Sequence, residues 1–133
     1  LTGEPALQDL PLGYFGASTG AAAALVAASE RPEMIQAIVS RGGRPDLAGP
    51  ALRAVKAPVL LIVGGADTPV LRMNREAMAG LTVENRLEVI PGATHLFEEP
   101  GALERVAKLA LDWFALYFRR SADGPGSTRR ERS

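Results

Sequence analysis

The sequence predicts an α/β protein with a mostly parallel sheet in a three-layer α/β/α sandwich, and three observations predict it. Val59-Leu60-Leu61-Ile62-Val63 is an uninterrupted aliphatic run, the pattern of a strand covered on both faces. Strand-like and helix-like segments alternate along the chain, the order that right-handed βαβ crossovers produce. Leu12 to Leu25 reads as a strand, a tight turn and a helix, with Gly16-Ala17-Ser18-Thr19-Gly20 at the turn.

Residues 1–11 hold two prolines and read as the end of a helix and a loop. The first strand is expected over Leu12 to Phe15. An alanine-rich helix follows from about Thr19 to Arg31 and stops at Pro32, because the residue before a proline is driven out of the helical region. Met34 to Ser40 reads as a second strand, with Arg41 to Asp46 as the loop leaving it and a short helix near Pro50 to Val55. The strand Ala57 to Val63 exits through Gly64-Gly65-Ala66-Asp67 into a helix over Pro69 to Leu81. A fourth strand, Arg86 to Ile90, leaves through Pro91-Gly92-Ala93-Thr94-His95. After Pro100, Val106, Leu109, Ala110, Trp113, Phe114 and Tyr117 form one apolar helical stripe that should dock on the sheet. Trp113 and Met73 are expected in the core. Residues 1–119 are read as one partial domain, and 120–133, with little to bury, as a disordered tail whose arginines are solvated.

Composition excludes several functions. The 15 basic and 15 acidic residues cancel, leaving no clustered basic field for nucleic acid or a membrane surface. No cysteine is present, which removes disulfides, thiolate catalysis and Cys-ligated zinc; a cytoplasmic location is the default expectation. No apolar run approaches the roughly 18 residues that cross a bilayer. The N-terminus Leu1-Thr2-Gly3-Glu4-Pro5 lacks an initiator Met and the features of a signal peptide, so the chain is expected to be a segment or a processed product. The Gly-rich turn carries neither a Walker lysine nor G-x-G-x-x-G, which argues against nucleotide binding.

Parallel sheets bind ligands beyond the carboxyl ends of their strands, and Ser18, Asp67 and His95 all stand at such ends. Separately, Ser18 fits a helix N-cap, Asp67 a turn or cap, and His95, the sole histidine, a packed ring bonded to a carbonyl. Jointly they have the composition that acyl transfer requires: a serine on a G-x-S-x-G elbow, a base to take its proton and an acid to orient that base. The Thr19 backbone N–H at the helix start would supply one oxyanion donor. Asp46 is the alternative acid. Arg41 and Arg44 fall near the mouth, as solvated loop residues or as attractors of an anionic acyl group. No metal or organic cofactor is implied.

The segments Gly16 to Gly20, Leu60 to Asp67 and Pro91 to His95 resemble the second half of an α/β-hydrolase of the dienelactone hydrolase-like group. They are also similar to hydrolase domains that follow a phosphoribosyltransferase domain in bacterial fusion proteins. The resemblance covers residues 6–119 and implies hydrolysis of a small ester, thioester or lactone through an acyl-enzyme at Ser18, Asp67 and His95. Dienelactone hydrolase itself uses a cysteine nucleophile, where this chain has Ser18. The family's sheet has about eight strands against four expected here, so the loop giving the second oxyanion N–H lies upstream. The strand Leu12 to Phe15 is then expected as an exposed apolar edge that pairs with the upstream half or with another copy. The alternative function is a catalytically incomplete half-domain.

Overall fold

A computed structural model describes residues 12–17, 19–31 and 34–128. Four strands, β1 (Leu12–Ala17), β2 (Ile35–Arg41), β3 (Val59–Gly64) and β4 (Asn85–Ile90), form a parallel sheet in the order β1-β2-β3-β4. Because the strands step in one direction, crossovers of one hand must share one face of the sheet. Helix α1 (Thr19–Glu30), a 3-10 segment (Pro45–Ala54) and helix α2 (Thr68–Met78) accordingly share a core with Ile38, Val59 and Leu61. Helix α3 (Ala102–Thr128), which follows the last strand, covers the opposite face with Val106, Ala110, Trp113 and Tyr117 against Val39, Leu60 and Ile62. The β3 residues thus alternate between two cores, and all six are buried. This is the three-layer α/β/α arrangement that the aliphatic run predicts.

Several boundaries shift. Met34 lies outside β2 and is exposed, while Arg41 belongs to the strand. The helix expected near Pro50 is a longer 3-10 segment broken at Gly49, whose φ of 55° and ψ of −130° precede Pro50. Met73 is only half-buried; the fully buried α2 position is Asn74, which is 0% exposed. Its amide donates to the carbonyls of Gly43 (3.0 Å) and Val70 (2.8 Å), so the helix can turn a polar side chain inward while an apolar one stays at the rim. The backbone of α3 continues to Thr128, through much of the segment expected to be a disordered tail. Residues 129–133 lie outside the described ones. Among the described residues, no helix is long and apolar enough to cross a membrane.

Gly13 and Gly16 on β1 each make room for a helix. A Cβ on Gly13 would sit 2.5 Å from the Phe114 ring on α3, and one on Gly16 would sit 2.6 Å from the Ala21 Cα on α1. By the two-residue period of a strand, Phe15 points to the α3 side with Gly13. There it stays 50% exposed, on an outer strand of the sheet.

Candidate active site

The carboxyl ends of β3 and β4 are joined by their loops. Gly65 N–H donates to the Ile90 carbonyl (2.8 Å) and Ala66 N–H to the Ala93 carbonyl (2.9 Å). This approach requires Gly64, since a Cβ there would collide with the carbonyl of Ala93. The two loops carry Asp67 and His95. Asp67 Oδ2 stands 2.8 Å from His95 Nδ1, so the tautomer with a proton on Nδ1 donates to the carboxylate and leaves Nε2 as the basic nitrogen.

Asp67 occupies the N-cap position of α2, yet its side chain makes no capping hydrogen bond. The cap reading therefore fails on geometry: the carboxylate faces the imidazole instead. The Asp67 side chain is 13% exposed and that of His95 is 42% exposed, an acid withdrawn from water beneath a ring open on one side. Asp46, the alternative acid, is engaged elsewhere. Arg44 Nε and Nη2 donate to its two oxygens at 3.1 and 2.9 Å, and this side-chain hydrogen bonding holds the Asp46 carboxyl below the usual carboxylate range and raises the Arg44 guanidinium.

Around the imidazole the chain is tightly specified. Gly42 has φ 54°, a conformation that L side chains rarely adopt, and a Cβ there would be tight against Phe97 Cε1 at 3.3 Å and in ordinary contact with His95 Cε1 at 3.5 Å. Phe97 is 1% exposed and has φ 57°, the only non-glycine positive φ among the described residues. For a bulky residue that conformation costs on the order of 1–3 kcal/mol. Burial of the ring offsets it, together with the Arg41 guanidinium 5.6 Å from the ring centroid. Arg41 is thereby placed over an aromatic face and Arg44 in an ion pair, whereas the sequence left both as loop residues. Glu99 accepts from the Thr94 hydroxyl (2.7 Å) and the Thr94 N–H (3.1 Å), which holds its carboxyl below the usual range.

Ser18 lies outside the described residues, but β1 ends at Ala17 and α1 opens at Thr19, so it alone joins strand to helix. Of the two flanking glycines expected to permit that close approach, Gly16 is required by the Ala21 backbone, while a Cβ at Gly20 meets nothing within 4 Å. The approach is asymmetric because the strand side packs under the helix and Gly20 faces outward. Sequence reasoning missed Gly42, Asn74, Phe97 and Glu99. Only Gly42, in Arg41-Gly42-Gly43-Arg44, carried a local signal, a doublet suited to positive φ. Among the described residues, no group of three or more His, Asp or Glu could hold a metal ion.

A parallel sheet wrapped by helices on both faces, with an acid–histidine pair at its carboxyl edge, defines the α/β-hydrolase fold. The chain belongs to the dienelactone hydrolase family, whose model matches residues 6–118. A dienelactone hydrolase from Anabaena variabilis superposes with a TM-score of 0.84 at 64% identity, over 87% of this chain and 54% of that one. Two Mycobacterium tuberculosis proteins, from strains CDC 1551 and H37Rv, that carry the name of a phosphoribosyl transferase are 61% identical over 114 residues. The match takes 86% of this chain but 26% of theirs, so the chain spans about a quarter of their length. A monoacylglycerol lipase from Paleococcus ferrophilus shares the fold at 18% identity and a TM-score of 0.67, over 80% of this chain and 69% of that one.

Proposed function

We propose that this chain carries the nucleophile, base and acid of a serine hydrolase that cleaves small esters, thioesters or lactones. The observation that carries the reading is the 2.8 Å Asp67–His95 contact at the edge where Ser18 joins β1 to α1. In the reaction, His95 Nε2 takes the Ser18 hydroxyl proton as Oγ attacks the acyl carbon, and Asp67 balances the imidazolium charge. The tetrahedral oxyanion is met by the Thr19 N–H, one of the first-turn helix donors that have no partner within the helix. Collapse breaks the bond to the leaving oxygen or sulfur, which departs with the proton from His95. Water, deprotonated by the same nitrogen, then attacks the acyl-enzyme and releases the acid and Ser18.

A second reading, a catalytically incomplete half-domain, draws support from the chain's 54% coverage of the Anabaena structure and from β1 being an outer strand. We place the second oxyanion donor in upstream sequence, and we propose a fusion to a phosphoribosyltransferase, a reading supported by the name that the M. tuberculosis relatives carry. A fluorophosphonate probe separates the readings. Labelling of Ser18 in the chain with its natural upstream sequence, abolished by Ser18→Ala, is the expected result. Absence of labelling there overturns the hydrolase reading, and labelling only with the upstream sequence supports dependence on a partner half.

A further inference from the structure

The turn that carries His95 is closed by a residue with no place in the acyl-transfer chemistry. Thr94 and Glu99 bracket it: one carboxylate accepts both the Thr94 N–H, at 3.1 Å, and the Thr94 hydroxyl, at 2.7 Å. Inside the bracket, the Phe97 N–H donates to the Thr94 carbonyl at 3.1 Å, and the backbone passes through the positive φ of Phe97. At that turn Phe97 is buried, while Leu96, the residue between it and His95, is 58% exposed. A bulky residue leaves the left-handed region readily unless its neighbours hold it, and relaxation would carry His95 away from Asp67. On the β3 side the turn is pinned by the Ala66 N–H on the Ala93 carbonyl. On the α3 side the bracket is closed by the Glu99 carboxylate, which comes just before α3.

We propose that Glu99 is a positioning residue: its carboxylate clamps Thr94, and through that turn it sets the His95 ring against Asp67. Glu98 beside it is exposed and serves as a control for loss of charge at the same place in the chain. The amide of Glu99→Gln keeps an acceptor oxygen for the Thr94 N–H and can donate its NH2 to the Thr94 hydroxyl oxygen, with no charge, so it separates the clamp from simple electrostatics.

The inference rests on the hydrolase reading only for its rate measurement, and the test therefore has two parts. In the protein at its natural length, the imidazole Nδ1–H resonance is followed by proton NMR, assigned by its loss in His95→Gln. Hydrolysis of p-nitrophenyl acetate is measured in parallel. Glu99→Ala is expected to broaden or remove the hydrogen-bonded Nδ1–H signal and to lower kcat about tenfold, with KM within about twofold. Glu99→Gln should restore most of both, and Glu98→Ala should match the wild type. Thr94→Val, which removes only the hydroxyl donor, should fall between and judges the clamp if Glu99→Ala does not fold. An unchanged Nδ1–H signal in folded Glu99→Ala, or equal effects of Gln and Ala at this position, overturns the proposal. A wild type that shows the signal but hydrolyses nothing overturns the hydrolase reading and leaves the signal to decide the clamp.

Discussion

The sheet has two outer strands, and they are finished differently. β4 carries Arg86, exposed, and Glu88, with the two side chains 3.7 Å apart. Charges on an outer strand discourage a further strand from pairing with it. β1, Leu-Gly-Tyr-Phe-Gly-Ala, carries neither charge nor proline and leaves Phe15 half exposed. One edge is built to face water and the other has the composition of an interior strand. The acid–histidine pair leaves the sheet at the finished side, on β3 and β4, and is complete within the chain. Ser18 follows the open side. We infer that β1 is paired in the working protein, by the upstream half of the domain or by a second copy.

If the finished side is self-sufficient, its most damaging change is chemical. Asp67→Asn keeps the shape but lets the amide donate to the imidazole, favouring the wrong tautomer. Turnover of an activated ester should fall about 10³- to 10⁴-fold, with little change in melting temperature. Asp46→Asn should leave turnover within about twofold, because that carboxylate faces Arg44. Steady-state kinetics on the two variants decides between the acids, and the reverse ranking would transfer the orienting role to Asp46.

Backbone packing gives the next largest effect and compares the two sides directly. Gly64→Ala drives a Cβ into the Ala93 carbonyl and Gly16→Ala into the Ala21 backbone, neither of which can swing aside as a flexible side chain can. Each should cost about 3 kcal/mol or more by urea denaturation. Gly20→Ala meets open space at the exposed start of α1, and replacing a helical glycine there should stabilise by roughly 0.5–1 kcal/mol. Equal penalties at Gly16 and Gly20 would mean that both glycines of the elbow are sterically required.

These contrasts also show what the sequence disclosed. The aliphatic run of β3 and the apolar stripe of α3 announced a doubly covered sheet because burial on both faces leaves no alternation to misread. Asp67 and His95 were legible because each ends a strand in a glycine-marked turn, and strand ends converge in a parallel sheet. Asn74 was not, because a helical period marks a buried position only when its residue is apolar. Its partner, the Gly43 carbonyl, is 31 positions away. Glu99 was hidden for a similar reason: nothing in Glu-Glu-Pro distinguishes a carboxylate that clamps a turn from one in solvent.

At the open edge the expected effect is on association more than on stability. Phe15→Lys places a charge on β1 where the ring is already 50% exposed, so the unfolding free energy should move by less than about 0.5 kcal/mol. Self-association measured by sedimentation should fall, since a strand-edge lysine opposes pairing. A wild-type chain that is monomeric without upstream sequence would break the comparison between the two edges.

The smallest effect sharpens the contrast between the carboxylate paired with His95 and the one paired with Arg44 through pH. Asp46 has its folded pKa lowered, first by the Arg44 hydrogen bond. A depressed carboxyl contributes stability that is fully present above its unfolded pKa and is lost as pH falls through its folded pKa. The thermal midpoint should therefore drop on acidification through and below the ordinary carboxylate range, and Asp46→Asn should flatten that slope. The pair is partly exposed, with side chains 33% and 29% accessible, so solvent screening keeps the difference small, of order 2 °C or less in the midpoint. The same substitution should leave the pH dependence of turnover above that range unchanged, because Asp46 does not touch the imidazole-bearing turn through any hydrogen bond among the described residues. A turnover profile that shifts with Asp46→Asn would instead couple the loop after β2 to His95 through Gly42, whose backbone lies against the His95 ring.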